Sequence, residues 1–147
     1  MFRAVAVFLL AAVGTWFIDQ NIKTLFVHGY GWGSDCLSLE LHYNRGVAFS
    51  MLAFLGPWLK WIQVVLISGI VGYVCYEGYL KKYAFPLGLL IGAAAGNLYD
   101  RFHYGAVVDY VAWHCGFDFA VFNYADVMID IAIVWIVLQS FLSKKAS

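Results

Sequence analysis

Four apolar runs constrain this chain more than any other feature. They extend roughly from Phe2 to Ile18, Trp58 to Tyr79, Tyr83 to Tyr99 and Ala125 to Leu142. A helix that crosses a bilayer needs about 20 predominantly apolar residues, with roughly 17 as the lower limit. Inside hydrocarbon every backbone N–H and C=O must be paired, so runs of this length read as membrane-spanning helices. Of the 147 residues, 63% are hydrophobic and 12% charged, whereas water-soluble domains carry about 25% charged residues. The expected fold is an all-α membrane protein with four transmembrane helices, its residues 1–147 forming one membrane-embedded domain.

The first run resembles a secretory leader, because Arg3 precedes the apolar stretch Ala4 to Ile18. No small-x-small cleavage site follows it, and Asp19 and Lys23 come directly after. It therefore reads as a retained first helix. Basic residues then orient the bundle. Arg3, Lys81 with Lys82, and Lys144 with Lys145 all fall on one side if the chain crosses four times. Cytoplasmic loops carry the excess of Lys and Arg, so both termini are expected inside. Nine basic residues balance nine acidic ones. A chain without a broad basic surface is not expected to bind nucleic acid.

The two remaining connections are expected outside. In the first, Asp19 to Pro57, the stretch Cys36-Leu37-Ser38-Leu39-Glu40-Leu41-His42 alternates leucine with polar residues. Period two predicts a half-buried strand. Gly29, Gly31 and Gly33 before it suggest a turn or loop. The second connection, Asp100 to Tyr124, is aromatic and carries Asp100, Asp109 and Asp118. Its Trp113 to Phe119 stretch is a candidate membrane-skimming segment. Gly92-Ala93-Ala94-Ala95-Gly96 predicts close helix packing, since small residues let backbones approach in lipid. Cys75 reads as a packing residue in an apolar run, and Cys36 and Cys115 can pair if they share one face of the membrane.

Polar residues concentrate at one level. Asp19 closes the first run; Asn97, Asp100 and Arg101 close the third; Asp109 lies in the second outer connection; Asn123 and Asp126 open the fourth. Carboxylates near hydrocarbon are costly and usually face a bundle interior or a wet cavity. Each also has a structural explanation. Asp19 can pair with Lys23 one turn later. Asp100 can pair with Arg101, which would keep it ionised. Asp126 can cap the fourth helix. Asp109 sits in the apolar run Val107-Val108-Asp109-Tyr110 and has no such explanation. Asp130, one turn beyond Asp126, can line a polar cavity or pair across the bundle. Two carboxylates at one cavity can share a proton, because like charges a few ångströms apart do not both ionise. Such a pair can activate water against a peptide carbonyl. No metal or other cofactor is needed for that chemistry.

Five blocks, in order, resemble the bacterial lipoprotein signal peptidase (signal peptidase II) family. They are Asp19-Gln20-x-x-Lys23, Asn44-Arg45-Gly46-Val47-Ala48-Phe49-Ser50, Gly96-Asn97-Leu98-Tyr99-Asp100-Arg101, Val107-Val108-Asp109 and Phe122-Asn123-Tyr124-Ala125-Asp126. The resemblance implies an intramembrane aspartyl endopeptidase in the bacterial inner membrane, working near its extracytoplasmic face. Its partners would be diacylglyceryl-modified prolipoproteins and membrane lipid, with no obligate protein partner, and it would cut just before the lipidated cysteine. By position, Asp109 and Asp126 look like the catalytic pair. Asn44, Asn97, Arg101 and Asn123 look like residues that line the site, and Asp100, Asp19 and Lys23 like its support. The family fold implies a small outer β-cradle after the first helix and a short outer helix after Asp100. Gly92-Ala93, Ile22, Val127 and Tyr110 depart from the usual family residues without removing a carboxylate.

A different class is a small transporter or ion-conducting protein, since membrane carboxylates also line ion paths. The acids cluster at one face instead of crossing the membrane, and no half-to-half repeat is visible. A haem-bearing subunit needs axial ligands on helices, but His28, His42, His103 and His114 all fall in expected loops.

Overall fold

The computed structural model describes residues 1–46, 52–117 and 119–145. Val47 to Ser50 of the second block, and Asp118, lie outside them. The elements run α1 (Phe2–Val27), β1 (Trp32–Gly33), β2 (Leu37–Asn44), a short 3-10 turn (Ala53–Leu55), α2 (Trp58–Tyr76), α3 (Leu80–His103), β3 (Val107–Trp113) and α4 (Tyr124–Lys145). Each apolar run has become a helix. Three of them, α1, α2 and α4, are long and apolar enough to cross a membrane. At 24 residues, α3 is about 36 Å long but less apolar. Its burial explains this. It carries ten buried residues, from Tyr83 to Asp100, and a helix shielded by its neighbours needs no greasy exterior.

Small residues set the seam between α1 and α3. A Cβ at Gly88 would collide with Ala11 and the Phe8 carbonyl, and one at Gly92 with the backbone of Ala12. Near its start α3 kinks at Tyr83, three residues before Pro86. Proline has no N–H to offer the carbonyl four residues earlier. That carbonyl, of Lys82, instead accepts a hydrogen bond from Gln139 Nε2 of α4 at 2.9 Å. Tyr83, Val74 and Leu87 form a buried cluster at this end, backed by Phe8 and Ile136.

At the other end the three strands form one antiparallel sheet in the order β1-β2-β3. Period two in Leu37 to His42 did mark a strand, which extends to Asn44. Its register places Asn44 opposite Val107 and His42 opposite Asp109, with an irregularity between Leu39 and His42. Cys36 and Cys115 form a disulfide across the far end of this pair.

Several sequence expectations need correction. Helix α1 does not stop near Asp19 but runs two more turns to Val27. There Phe26 stacks on Tyr110 of β3, with ring centroids 4.2 Å apart. No separate helix follows Asp100 among the described residues. Instead α3 runs to His103, Gly105 turns the chain at φ 72°, and the β-branched run Val107-Val108 enters a strand. Gly33 belongs to β1, His42 lies on β2 and His103 ends α3. Cys75 is exposed on α2 and not packed inside.

Candidate active site

The start of α4 fixes the site. The first N–H groups of a helix have no partner within it, and here each finds one. Tyr124 N–H donates to the Tyr110 hydroxyl at 3.0 Å, and Ala125 N–H to Asp19 Oδ1 at 3.2 Å. Asp126 N–H donates to Asn123 Oδ1 at 3.0 Å, while Asn123 N–H donates to Asp126 Oδ2 at 3.1 Å. This reciprocal cap uses one Asp126 oxygen. The other, Oδ1, accepts from Asn97 Nδ2 at 2.9 Å.

Beneath lies a buried charge cluster. Lys23 is 2% exposed, with Asp19 and Asp100 at 0%. Its ammonium group reaches Asp19 at 2.8 Å, Asp100 at 2.7 Å and Asn97 Oδ1 at 2.8 Å. Three protons meet three acceptors. Because Asn97 turns its carbonyl to the ammonium, its NH2 must face Asp126. Asp100 also accepts from Val108 N–H at 3.2 Å and from Gln20 Nε2 at 3.2 Å. Its partner is thus Lys23, not the neighbouring Arg101.

Asp109 projects from β3 and is 2% exposed. Its Oδ1 accepts from Asn123 Nδ2 at 2.7 Å and its Oδ2 from Asn44 Nδ2 at 2.9 Å. Asn44 is oriented in turn, since its Oδ1 accepts from Gly46 N–H at 2.9 Å, and Arg101 Nη2 donates to the Gly46 carbonyl at 2.8 Å. Burial raises the Asp109 pKa to about 6. The Asn44 and Asn123 hydrogen bonds and the Lys23 charge oppose that rise, and the Asp126 charge adds to it.

A cavity of about 640 Å³ opens over these groups. Asn44, Asn97, Arg101, Asp109 and Asp126 all line it, as do apolar residues of α2 and the segment 119–122. The structure therefore gathers Asp109, Asp126, Asn44, Asn97, Asn123 and Arg101 into one hydrogen-bonded unit. It places Asp19, Lys23 and Asp100 behind that unit, away from the cavity wall. Gln63, which sequence reasoning missed, accepts from Arg101 Nη1 at 2.9 Å and donates to the Ala94 carbonyl at 3.0 Å. The available signal was an amide inside an apolar helical run. With two carboxyl groups joined through Asn123 and open to one cavity, the arrangement suits proton sharing and water activation.

Comparison with known proteins agrees in both sequence and fold. A family model described as signal peptidase (SPase) II matches residues 5–142. The lipoprotein signal peptidase of Sulfurovum sp. (strain NBC37-1) is 64% identical over 139 residues, covering 95% of each chain. That of Sulfurimonas denitrificans is 58% identical over 142 residues, covering 97% of this chain and 92% of the relative. A solved bacterial membrane enzyme, determined in meso at 2.3 Å resolution, superposes with TM-score 0.80 at 25% identity. It covers 97% of this chain and 91% of its own.

Proposed function

This chain belongs to the signal peptidase II family, and on that premise we propose that it is an aspartic endopeptidase whose catalytic pair is Asp109 and Asp126. It removes signal peptides from lipid-modified prolipoproteins, cutting just before the diacylglyceryl cysteine. The observation that carries this reading is the shared hold of Asn123 on both carboxyl groups at the cavity. Asp100 is the competing acid. It is fully buried against Lys23 and does not line the cavity, which suits a structural role.

The chemistry follows from the pair. One carboxylate takes a proton from a water molecule as that water attacks the peptide carbonyl. The protonated partner donates to the developing oxyanion and then helps protonate the leaving amine of the cysteine. The two titrate as a unit, so the shared proton belongs to neither alone. Asn44, Asn97 and Asn123 present N–H donors to three of the four carboxyl oxygens, and the Asn123 backbone serves the fourth. These donors fix the geometry, while burial raises the Asp109 pKa from 3.8 to about 6.

The chain is a multi-pass membrane protein. We read it as one peptidase domain with four crossings, α3 included, in the bacterial cytoplasmic membrane with both termini inside. Lys82 Nζ donates to Ser143 Oγ at 2.6 Å, so the basic α2–α3 turn and the end of α4 share one face. The disulfide lies with the sheet at the opposite end, and disulfides persist in oxidising compartments. Both support an extracytoplasmic site. With the family known, no observation favours the transporter alternative.

Cleavage of a diacylglyceryl-modified prolipoprotein by the purified protein, with chelator present, tests the assignment. Asp109→Asn and Asp126→Asn should each abolish cutting in folded protein, and Asp100→Asn should act through stability. An active Asp109→Asn beside a folded but inactive Asp100→Asn would overturn the pair. Failure of the unsubstituted protein to cut would overturn the activity.

A further inference from the structure

Asp130 is the carboxyl group of the cavity wall that this chemistry leaves unused. It stands on α4 four positions after Asp126, hence about 6 Å deeper into the membrane-spanning run. Ile129 and Ile131 flank it in sequence, and it faces the same cavity as Leu59, Ile62 and Leu66 of α2. The neighbouring polar side chains are engaged elsewhere. Gln63 is held by Arg101 and Ala94, and Asn97 by Lys23, Asn123 and Asp126. Among the described residues, no hydrogen bond or ion pair reaches Asp130. A carboxyl group within a membrane span is costly and is retained where it meets a partner or a wet cavity.

The nature of the partner follows from what must enter, given that Asp109 and Asp126 cut the peptide. A signal peptide in a bilayer satisfies its backbone by staying helical. To place a peptide bond between two carboxyl groups, the residues around that bond must unwind. Unwinding frees backbone N–H groups, and in a low-dielectric site each needs an acceptor. The signal peptide runs from the cut bond into the membrane, and Asp130 lies on that side of Asp126. At about 3.3 Å per extended residue, ~6 Å corresponds to about two residues.

We propose that Asp130 is a substrate-binding residue that accepts a hydrogen bond from a freed backbone N–H of the signal peptide, within three residues before the bond that is cut. A carboxyl group offers an acceptor oxygen in either protonation state. The contact reads backbone and not side chain, so it serves signal peptides of different sequence.

The test uses synthetic diacylglyceryl lipopeptides in which each of the three peptide links before the cut is replaced, one at a time, by an ester. An ester has no N–H. In the wild-type protein one of the three esters should lower kcat/KM roughly tenfold. Asp130→Leu should cut the all-amide peptide roughly tenfold more slowly than wild type and be indifferent to that ester, and Asp130→Asn, which keeps an acceptor oxygen, should recover most of the loss. Asp130→Ala replaces the leucine variant if the latter does not fold. The proposal is overturned if no ester slows the wild type, if the esters slow wild type and Asp130→Leu alike, or if Asp130→Leu cuts the all-amide peptide as fast as wild type. Failure of the wild type on the all-amide peptide would bring down the peptidase reading itself.

Discussion

Asn123 and Asp126 cap one another at the start of α4, each backbone N–H donating to the other's side chain at 3.1 and 3.0 Å. The Asn123 side-chain Nδ2 also donates to Asp109 at 2.7 Å. Stability of the helix end and placement of both acids thus pass through one residue, its side chain holding Asp109 and its backbone N–H holding Asp126. The two roles are separable. Asn123→Ala should lower stability by about 1–2 kcal/mol and suppress cleavage. Asn123→Ser keeps a capping oxygen but has no NH2 for Asp109, so it should restore the melting temperature and not kcat. Recovery of both by serine would remove Asn123 from the active site.

Asp109 makes stability depend on pH. Its folded value, about 6, lies above the ordinary 3.8. Its contribution is therefore fully present below about pH 4 and is lost as pH rises through about 6. The difference amounts to roughly 3 kcal/mol at neutral pH. Thermal melts in detergent across pH 4 to 7.5 should show this decline in wild type and a flatter curve in Asp109→Asn. Parallel curves for the two proteins would contradict it.

Among the described residues, Lys23 is the one cation that forms ion pairs with the two buried acids Asp19 and Asp100. Removing it as Lys23→Met leaves Asp19 and Asp100 without a counter-charge, at a cost of about 3–5 kcal/mol. Neutralising the acids as well, in Lys23→Met with Asp19→Asn and Asp100→Asn, should recover part of that loss. Melting of the single and triple variants measures it, and a triple variant worse than the single one counts against the cluster as described.

Two glycines should respond oppositely to alanine. At Gly92 a Cβ would lie 2.9 Å from backbone carbons of Ala12, so α1 and α3 must separate, at about 1–3 kcal/mol. At Gly72 nothing lies within 4 Å, and alanine should be neutral or stabilising by up to about 1 kcal/mol. Equal melting temperatures for the two variants would argue that the α1–α3 seam is not tight.

Trp113 is 41% and Phe117 65% exposed at the sheet end, as a segment resting on the membrane surface requires. Replacing both with serine should slow cleavage of membrane-embedded substrate severalfold, since each partly inserted aromatic contributes only a fraction of the about 1.5–3 kcal/mol of full burial. Unchanged cleavage in proteoliposomes would sink the membrane-skimming role.

Much of this was legible in advance. The four helices follow from hydropathy, β2 from alternating leucines, and the acids from their common level at the helix ends. Three points were not legible, for physical reasons. The last turns of α1 contain Asp19, Gln20, Asn21 and Lys23, which break the apolar run, although Asp19 and Lys23 are buried by partners far along the chain. Arg101 follows Asp100 directly, but adjacent residues on a helix do not face one another, so the acid meets Lys23 from α1 instead. The outer helix implied by the family fold gave way to β3, where Val107 and Val108 favour a pleated backbone.

Asp19, on the first helix, accepts the N–H of Ala125, 106 residues later. Ribosomes deliver the amino-terminal helices first, so a nascent chain with α4 still untranslated holds one half of this contact and neither the Asn123 latch nor Asp126. On the proposed assignment the pair is split between β3, which carries Asp109, and α4, which carries Asp126, so the two acids meet only once α4 has joined the bundle. Under that assignment, the onset of cleavage marks the arrival of α4.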